Sequence, residues 1–170
     1  MMASRVVRFN SYLLLALMAL CAVGCKSMKK KDATTLRLHQ EVNRDGTDRS
    51  APVPVYRASP MYVNVENAPF ITEGHIVKAS VIEALGSFQI MVQFDRRGTW
   101  LLEQYTTAHR GRRIGIFSQF GDARWLAAPM TNKRISDGVL VFTPDASREE
   151  ADRIVLGLNN VAKEAQKGVP

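Results

Sequence analysis

Alternation of apolar and polar residues predicts strands along much of the chain. From residue 88 to residue 94, every second position is phenylalanine, isoleucine or valine, and the positions between them are glutamine or methionine. This two-residue period is typical of a strand with one buried face. Strands are also predicted at residues 61–65, 75–84, 113–120 and 123–127. Because Gly121-Asp122 offers a tight turn, the last two are expected to form a β-hairpin.

Apolar residues at steps of three and four predict two helices. Asp95 can cap the first helix, and Gly111 can adopt the left-handed conformation that ends it. Its apolar face consists of Trp100, Leu101, Leu102, Tyr105 and Ala108. The second helix begins with Ser147-Arg148-Glu149-Glu150, a capping box in which Ser147 and Glu150 satisfy free backbone amides. Its apolar face consists of Ala151, Ile154, Val155, Leu158, Val161 and Ala162.

The order of these elements predicts an α+β fold. From residue 88 onward the order is strand, helix, hairpin, strand and helix. The last strand, at residues 139–142, is expected to be buried on both faces because all four residues are apolar, and Pro144 ends it. We expect an antiparallel sheet of about four to six strands with two helices packed on one face.

Residues 25–60 are expected to form a tether and a loosely organised segment. Residues 26–33 are polar and have no apolar period, and residues 43–50 form a polar interruption that contains glycine. Between them, residues 34–39 alternate weakly, as an edge strand would. Prolines at positions 52, 54 and 60 then favour an extended chain. The folded domain is therefore expected to span residues 61–168.

The first 25 residues have the pattern of a secretory leader. Arg5 and Arg8 precede an apolar run at residues 12–23, and Gly24 lies directly before Cys25. The run is shorter than the roughly 20 apolar residues that a membrane span requires. This pattern predicts a signal peptide at residues 1–24. The alternatives are an ordinary apolar helix with a chance cysteine and an uncleaved anchor.

The end of this leader resembles the lipobox of bacterial lipoproteins. The segment is Leu20-Cys21-Ala22-Val23-Gly24-Cys25, with Ala22 at the position where leucine is usual. The resemblance implies that Cys25 receives a lipid and anchors the chain on the periplasmic side of the envelope. Lys26 follows where an aspartate would retain a lipoprotein at the inner membrane of enteric bacteria, so the outer membrane is favoured. Because no other cysteine follows Cys25, no disulfide is expected to support the fold.

The charge of the chain adds a candidate membrane surface. The formal net charge is +7, and Arg5 and Arg8 lie in the leader. Four lysines follow the lipid site directly: Lys26, Lys29, Lys30 and Lys31. Anionic headgroups attract each such cation by roughly 1 kcal/mol at close approach, although a solvated linker explains the lysines equally well. Arg110, Arg112 and Arg113 are further candidate contacts with an anionic surface, and they also complement the helix dipole.

No motif in the sequence is typical of an enzyme or a cofactor site. The three histidines are His39, His75 and His109, and none is spaced for shared metal ligation. There is no Gly-x-Ser-x-Gly motif, and adjacent Glu149 and Glu150 would point about 100° apart on a helix. We expect a protein that is not an enzyme and has no metal or other cofactor. Because export separates it from nucleic acids, no nucleic-acid partner is expected either.

Residues 69–159 resemble the periplasmic head subdomain of SecD, the accessory component of the bacterial protein translocase. The resembling motifs are Ile71-Thr72, Ile76, Ala79, Val92-Gln93-Phe94-Asp95, Gly98, Leu101-Leu102, Thr106-Thr107, Gly111-Arg112-Arg113-Ile114-Gly115-Ile116, Ala127-Ala128-Pro129, Ile135, Gly138 and Ser147 with Glu149-Glu150-Ala151. Two features depart from the family pattern: Gly121-Asp122 stands where the family has aspartate-glycine, and residues 139–144 replace a glycine-rich strand.

The resemblance implies a link to protein export. A proton-driven motor needs ionisable groups inside membrane spans, and no apolar span follows the resembling region, so we do not expect motor activity from this chain by itself. Our first hypothesis is a non-catalytic binding or scaffold module that presents a sheet edge or a helix groove to translocase components or exported polypeptides. The alternative is an envelope structural lipoprotein that binds an anionic surface and has no polypeptide client.

Overall fold

The computed structural model describes residues 33–84 and 86–167. Its strands are β1 (Thr35–Gln40), β2 (Ser50–Val55), β3 (Met61–Glu66), β4 (Ile76–Ala84), β5 (Ser87–Phe94), β6 (Arg112–Gln119), β7 (Ala123–Ala127), β8 (Met130–Thr131) and β9 (Val139–Phe142). Its helices are α1 (Arg96–Ala108) and α2 (Arg148–Lys167), and a short 3-10 turn occupies Glu73–His75. The predicted signal peptide, Cys25, Lys26, Lys29, Lys30 and Lys31 lie outside the described residues.

The strands form three antiparallel sheets, so the α+β prediction is confirmed. One sheet has the order β1-β6-β7, with β8 also paired to β6; the second is β2-β3; the third is β4-β5-β9. The expectation of one sheet with four to six strands is corrected, because each sheet has two to four strands. After β9 the chain leaves β5, and Asp145 N–H donates to Leu126 C=O of β7 at 2.7 Å, which brings the two larger sheets together.

Side chains from two sheets and both helices form the main core. β1, β5 and β6 contribute alternating residues, as their sequence pattern predicts. Leu102 and Tyr105 come from α1, whereas Ile154 and Leu158 come from α2. In these three strands, the apolar residues with no exposed surface are Leu36, Leu38, Ile90, Val92, Ile114 and Ile116. A smaller cluster of Val55, Val63, Val65 and Ala128 lies under the β2–β3 sheet.

The segment expected to be loosely organised contains two ordered strands. β1 pairs with β6 from Thr35 to Gln40, and the side chains of Leu36 and Leu38 are 0 % exposed. Just before it, Thr34 packs so closely on α2 that a Cβ at Gly157 would lie 2.1 Å from Thr34 Oγ1. Only glycine leaves room for this contact. The edge strand expected at residues 34–39 is present as β1, whereas the expectation of loose organisation is corrected for β2, which pairs with β3 along its whole length.

The last strand is buried on one face only, which corrects the expectation of burial on both. Leu140 and Phe142 point into the core, whereas Val141 is 38 % exposed. Val139 and Val141 lie on the other face and are less buried, so the four apolar residues of β9 cover one buried face and one partly open face. The side chain of Val141 lies on the open face, beside Met91 of β5.

The predicted capping box of α2 is present and reaches beyond the helix. Ser147 N–H donates to Glu150 Oε2 at 2.8 Å, and Glu150 N–H donates to Ser147 Oγ at 3.2 Å. Arg124 of β7 donates to both carboxylate oxygens of Glu150, at 3.2 and 3.0 Å. Arg57, after β2, donates to Glu150 Oε2 at 3.4 Å. These contacts lower the pKa of Glu150 to about 2, and the hydrogen bonds from Arg124 have the largest effect.

Replacing Glu150 by glutamine should destabilise the protein, because Arg124 and Arg57 lose their shared anion. Since the folded pKa lies below the usual value of 4.5, this contribution is present above pH 4.5 and is lost as the pH falls toward 2. We expect a loss of about 1–3 kcal/mol at pH 7 that shrinks in acid, measured by urea unfolding at several pH values. The matched control is Glu149→Gln, which changes the exposed neighbour; an equal loss in both variants would contradict this account.

Candidate functional site

Helix α1 carries most of the side chains around a cavity of about 700 Å³. Asp95 holds the start of the helix, because its Oδ1 accepts a hydrogen bond from Gly98 N–H at 2.6 Å. Gly98 is required there, since a Cβ would lie 2.9 Å from Phe94 Cβ and 3.0 Å from His75 Cβ. At the other end, Gly111 has a positive φ of 78°, as the predicted helix stop requires. The helix is thus fixed at both ends of the cavity.

Three stacked rings form one wall of this cavity, which we call the α1 groove. Phe70 stacks on Tyr105 with ring centroids 4.9 Å apart, and Tyr105 stacks on His109 at 4.8 Å. The Tyr105 hydroxyl donates to Arg113 C=O at 2.7 Å, and burial raises the pKa of this phenol, so it remains a neutral donor. The three stacked rings therefore present an aromatic surface in which the Tyr105 hydroxyl already bonds within the protein.

Charged and amide side chains form the rim of the α1 groove. Arg134 and Glu103 line the groove and form an ion pair with each other, and Gln40 and Gln104 line it as well. The segment that carries Arg134 is held to α1 by Thr106, whose Oγ1 accepts from Ile135 N–H at 3.0 Å and donates to Leu102 C=O at 2.8 Å. Amide groups at the rim can both donate and accept hydrogen bonds.

Trp100 opens the groove to solvent. The sequence places it on the apolar face of α1, but its side chain is 55 % exposed, which corrects the expectation that it packs in the core. It stands in line with Gln104 and Ala108 at four-residue steps, and all three line the groove. Large exposed aromatic surface next to a cavity is typical of a binding site rather than of a stable core.

The three arginines predicted to contact an anionic surface have different surroundings. Arg110 is exposed. Arg112 donates to Asn43 Oδ1 at 2.8 Å, and Arg113 donates to Ala128 C=O at 2.8 Å, so both guanidinium groups already bind within the protein. Their contact with an anionic surface stays a prediction, as does that of the four lysines after Cys25.

The histidines do not converge. His39 Nδ1 bonds Glu66 C=O at 2.8 Å, His75 pairs with Asp95, and His109 stacks on Tyr105 in the groove. In the part of the chain that the structure describes, no group of three or more His, Cys, Asp or Glu side chains is arranged to hold a metal ion. Among the same residues, neither α1 nor α2 has the length and apolar character of a membrane-spanning helix.

Sequence reasoning missed several residues of the groove. Phe70 lies in the loop after β3, Arg134 lies in the loop before β9, and Gln40 ends β1. No sequence motif connects these three residues. The available signal was that Trp100 and Ala108 extend the apolar face of α1 beyond the residues that the core buries. Gln104 lies between them on the same side of the helix. Only the fold shows which distant residues complete the groove.

Comparisons with known proteins give a consistent result. The sequence model of the family described as SecDF, P1 head subdomain, matches residues 50–162. A solved structure of SecDF, a membrane component that enhances protein export, has a TM-score of 0.55 and 18 % identity to this chain over 76 % of its length. SecDF in a super-membrane-facing form gives a TM-score of 0.55 and 19 % identity, also over 76 %. At these identities, the structural likeness concerns the fold.

The chain spans only part of these structures, 63 % of the first and 19 % of the second. No curated protein sequence matches the chain.

Replacing Thr106 by valine should loosen the rim of the α1 groove. The variant keeps the shape of the buried side chain but leaves Ile135 N–H without its acceptor, which costs about 1–3 kcal/mol. We expect faster amide hydrogen exchange at Ile135 and a lower thermal midpoint. Thr107→Val is the control, because Thr107 is exposed and water can replace its bond to Glu103 C=O. Unchanged exchange at Ile135 in Thr106→Val would show that this bond does not hold the rim.

Proposed function

Because the chain belongs to the SecDF P1 head subdomain family, we propose that it is a non-catalytic polypeptide-binding module in protein export, tethered by a lipid on the periplasmic side of the envelope. The observation that carries this proposal is the α1 groove: a cavity with an aromatic wall, an exposed Trp100 and amides at its rim.

The chemistry of the groove suits an unfolded polypeptide. Phe70, Trp100 and Leu101 can bury apolar side chains that a folded protein would hide, and the buried ring of Tyr105 supports Phe70. Gln40 and Gln104 at the rim can bond to peptide groups of the same segment. An exported chain is unfolded while it crosses the membrane, so it offers both kinds of group at once.

A lipid on Cys25 would hold this groove on the periplasmic side of the envelope, the compartment that exported chains enter. The proposal rests on the order of basic start, apolar run, small residue and cysteine. Few residues separate Cys25 from Thr35, where β1 begins, so the domain would remain close to the lipid surface. We propose the outer membrane as its location, because Lys26 follows the cysteine.

Replacing Cys25 by serine should release the protein from the membrane, because the thioether cannot form. We expect the wild-type protein in the membrane fraction, with a lipid-modified N-terminal cysteine by mass spectrometry. Cys21→Ser is the matched control, since this cysteine lies four residues earlier in the predicted leader and should have no effect. An unmodified thiol at position 25, or equal membrane association of Cys25→Ser, would contradict the tether.

Replacing Trp100 by alanine should weaken binding of an unfolded chain and leave the fold intact. Loss of an exposed aromatic anchor should reduce affinity by at least about ten-fold, measured by fluorescence anisotropy with a labelled, unfolded exported precursor. Leu156→Ala is the matched control, because Leu156 on α2 is also 55 % exposed but lies away from the groove. Equal affinity of both variants would contradict binding at the groove.

The same assay separates this function from the alternative. The alternative is an envelope lipoprotein without a polypeptide client. It gains support if the wild-type protein does not bind the precursor but binds anionic vesicles and releases them as the salt concentration rises. Binding to the precursor that survives moderate salt and depends on Trp100 favours the export module, because apolar contacts are little screened by ions.

A further inference from the structure

The edges of the small sheets differ in how they are protected. A strand at the edge of a sheet presents unpaired N–H and C=O groups, and natural proteins block such edges with prolines, side chains or covering segments. On the outer edge of β2, Pro52 and Pro54 lack amide donors, so the strand can pair with β3 and offers few donors to another chain. The outer edge of β7 meets Asp145, whose N–H donates to Leu126 C=O.

The outer edge of β4 is closed by a side chain that imitates a strand. Asn159 Oδ1 accepts from Ala79 N–H at 2.9 Å, and Asn159 Nδ2 donates to Ala79 C=O at 2.9 Å. One amide side chain from α2 thus makes the two bonds that a neighbouring peptide group would make. Because α2 packs on the core, this cap is held in place.

The outer edge of β9 is different. Phe94 N–H donates to Gly138 C=O at 2.9 Å, and the same register pairs Val92 with Leu140 and Ile90 with Phe142. Bonded and non-bonded pairs alternate along antiparallel strands. The N–H and C=O of Leu140 and Phe142 therefore point toward β5, and those of Val139 and Val141 point away from it.

Only the first position of this edge is closed. Val139 N–H donates to Asp137 Oδ1 at 3.1 Å. Among residues 33–84 and 86–167, no hydrogen-bond partner meets the outward N–H and C=O of Val141. Its side chain is 38 % exposed, so this part of the strand reaches the surface. Within β9 itself there is no proline, no lysine and no register shift against β5.

We propose that the outer edge of β9, centred on Val141, binds an extended polypeptide segment as an added strand of the β4-β5-β9 sheet. This inference rests on the proposed function and specifies how the client chain is held. An extended backbone is the ligand whose donors and acceptors repeat at the spacing of an open strand edge. Val139, Val141 and Met91 give the adjoining sheet face an apolar character that favours β-branched client residues.

The edge can be tested without disturbing its pairing with β5. Val141→Pro removes the outward N–H and places a ring on the edge, and proline is tolerated at this kind of position because no bond to β5 is lost. Val141→Thr is the matched control, since it keeps the backbone groups and the branched shape. Both variants are made in the protein purified from membranes in detergent, and circular dichroism checks that they fold.

The probe is a labelled hexapeptide of alternating valine and threonine, in a normal form and in a form with N-methyl groups at alternate residues. We expect the wild type and Val141→Thr to bind the normal peptide with similar affinity and Val141→Pro to bind at least about ten-fold more weakly. The N-methylated peptide should bind the wild type at least about ten-fold more weakly too, which tests the proposal even if Val141→Pro does not fold.

The amide resonance of Val141 should shift and become protected from exchange when the normal peptide binds. Equal binding of the normal and N-methylated peptides, or peptide protection at other residues only, would overturn the proposal. Concentration-dependent dimerisation through β9 with no peptide binding would also overturn it, because the edge would then serve a second copy. Loss of precursor binding in Trp100→Ala with normal peptide binding at β9 would separate the groove from the edge, so the two proposals fail independently.

Discussion

Satisfaction of the backbone groups at strand edges is the constraint on which this fold depends. Its strands are divided among three small sheets, so edges are numerous relative to the number of strands. Most of these edges have a partner, a blocking residue or a covering segment, and the outward groups of Val141 in β9 are an exception among the described residues. Asn159 from α2 supplies one such cap, Asp145 after β9 supplies another, and two prolines in β2 supply a third. The helices and loops therefore protect sheets as well as bury apolar surface.

Side-chain contacts also join the helices to the sheets and loops around them. Glu150 joins the start of α2 to Arg124 of β7 and to Arg57 near β2, so the helix and two sheets hold one another. Elsewhere in the fold, Thr106 of α1 accepts a hydrogen bond from Ile135 N–H and so holds the segment before β9 against the helix. A binding surface built on elements held this firmly loses little conformational freedom when a ligand binds.

Local patterns in the sequence were sufficient for most elements. Alternation predicted β3, β5, β6 and β7, and the caps at Asp95 and Ser147 predicted the starts of both helices, because these signals depend on near neighbours. Division into three sheets could not be predicted, since it depends on which distant strands pair. The burial of β1 was missed because the strand offers only two apolar residues at alternating positions, Leu36 and Leu38. Whether they are buried depends on pairing with β6, which is distant in the sequence.

The candidate site was harder to predict than the fold. The exposure of Trp100 contradicts its position on an apolar helix face, and only the positions of Phe70 and Arg134 explain it. The four apolar residues of β9 likewise predict a strand that is buried on both faces, whereas the strand edge at Val141 is open. In both cases, the sequence shows that the residue is apolar, but only the fold shows that no neighbouring residue covers it. Sites of this kind are where local rules and the fold disagree.

The central claim is that the α1 groove holds polypeptides during export, and site-specific photo-crosslinking tests it most directly. A photoreactive amino acid would replace Ala108, an exposed residue that lines the groove, or Leu156 on α2 as the reference position. In cells that produce a defined exported protein arrested during translocation, we expect adducts with that protein from position 108 and few from position 156. Absence of the adduct at position 108, or equal yields at both positions, would contradict the account.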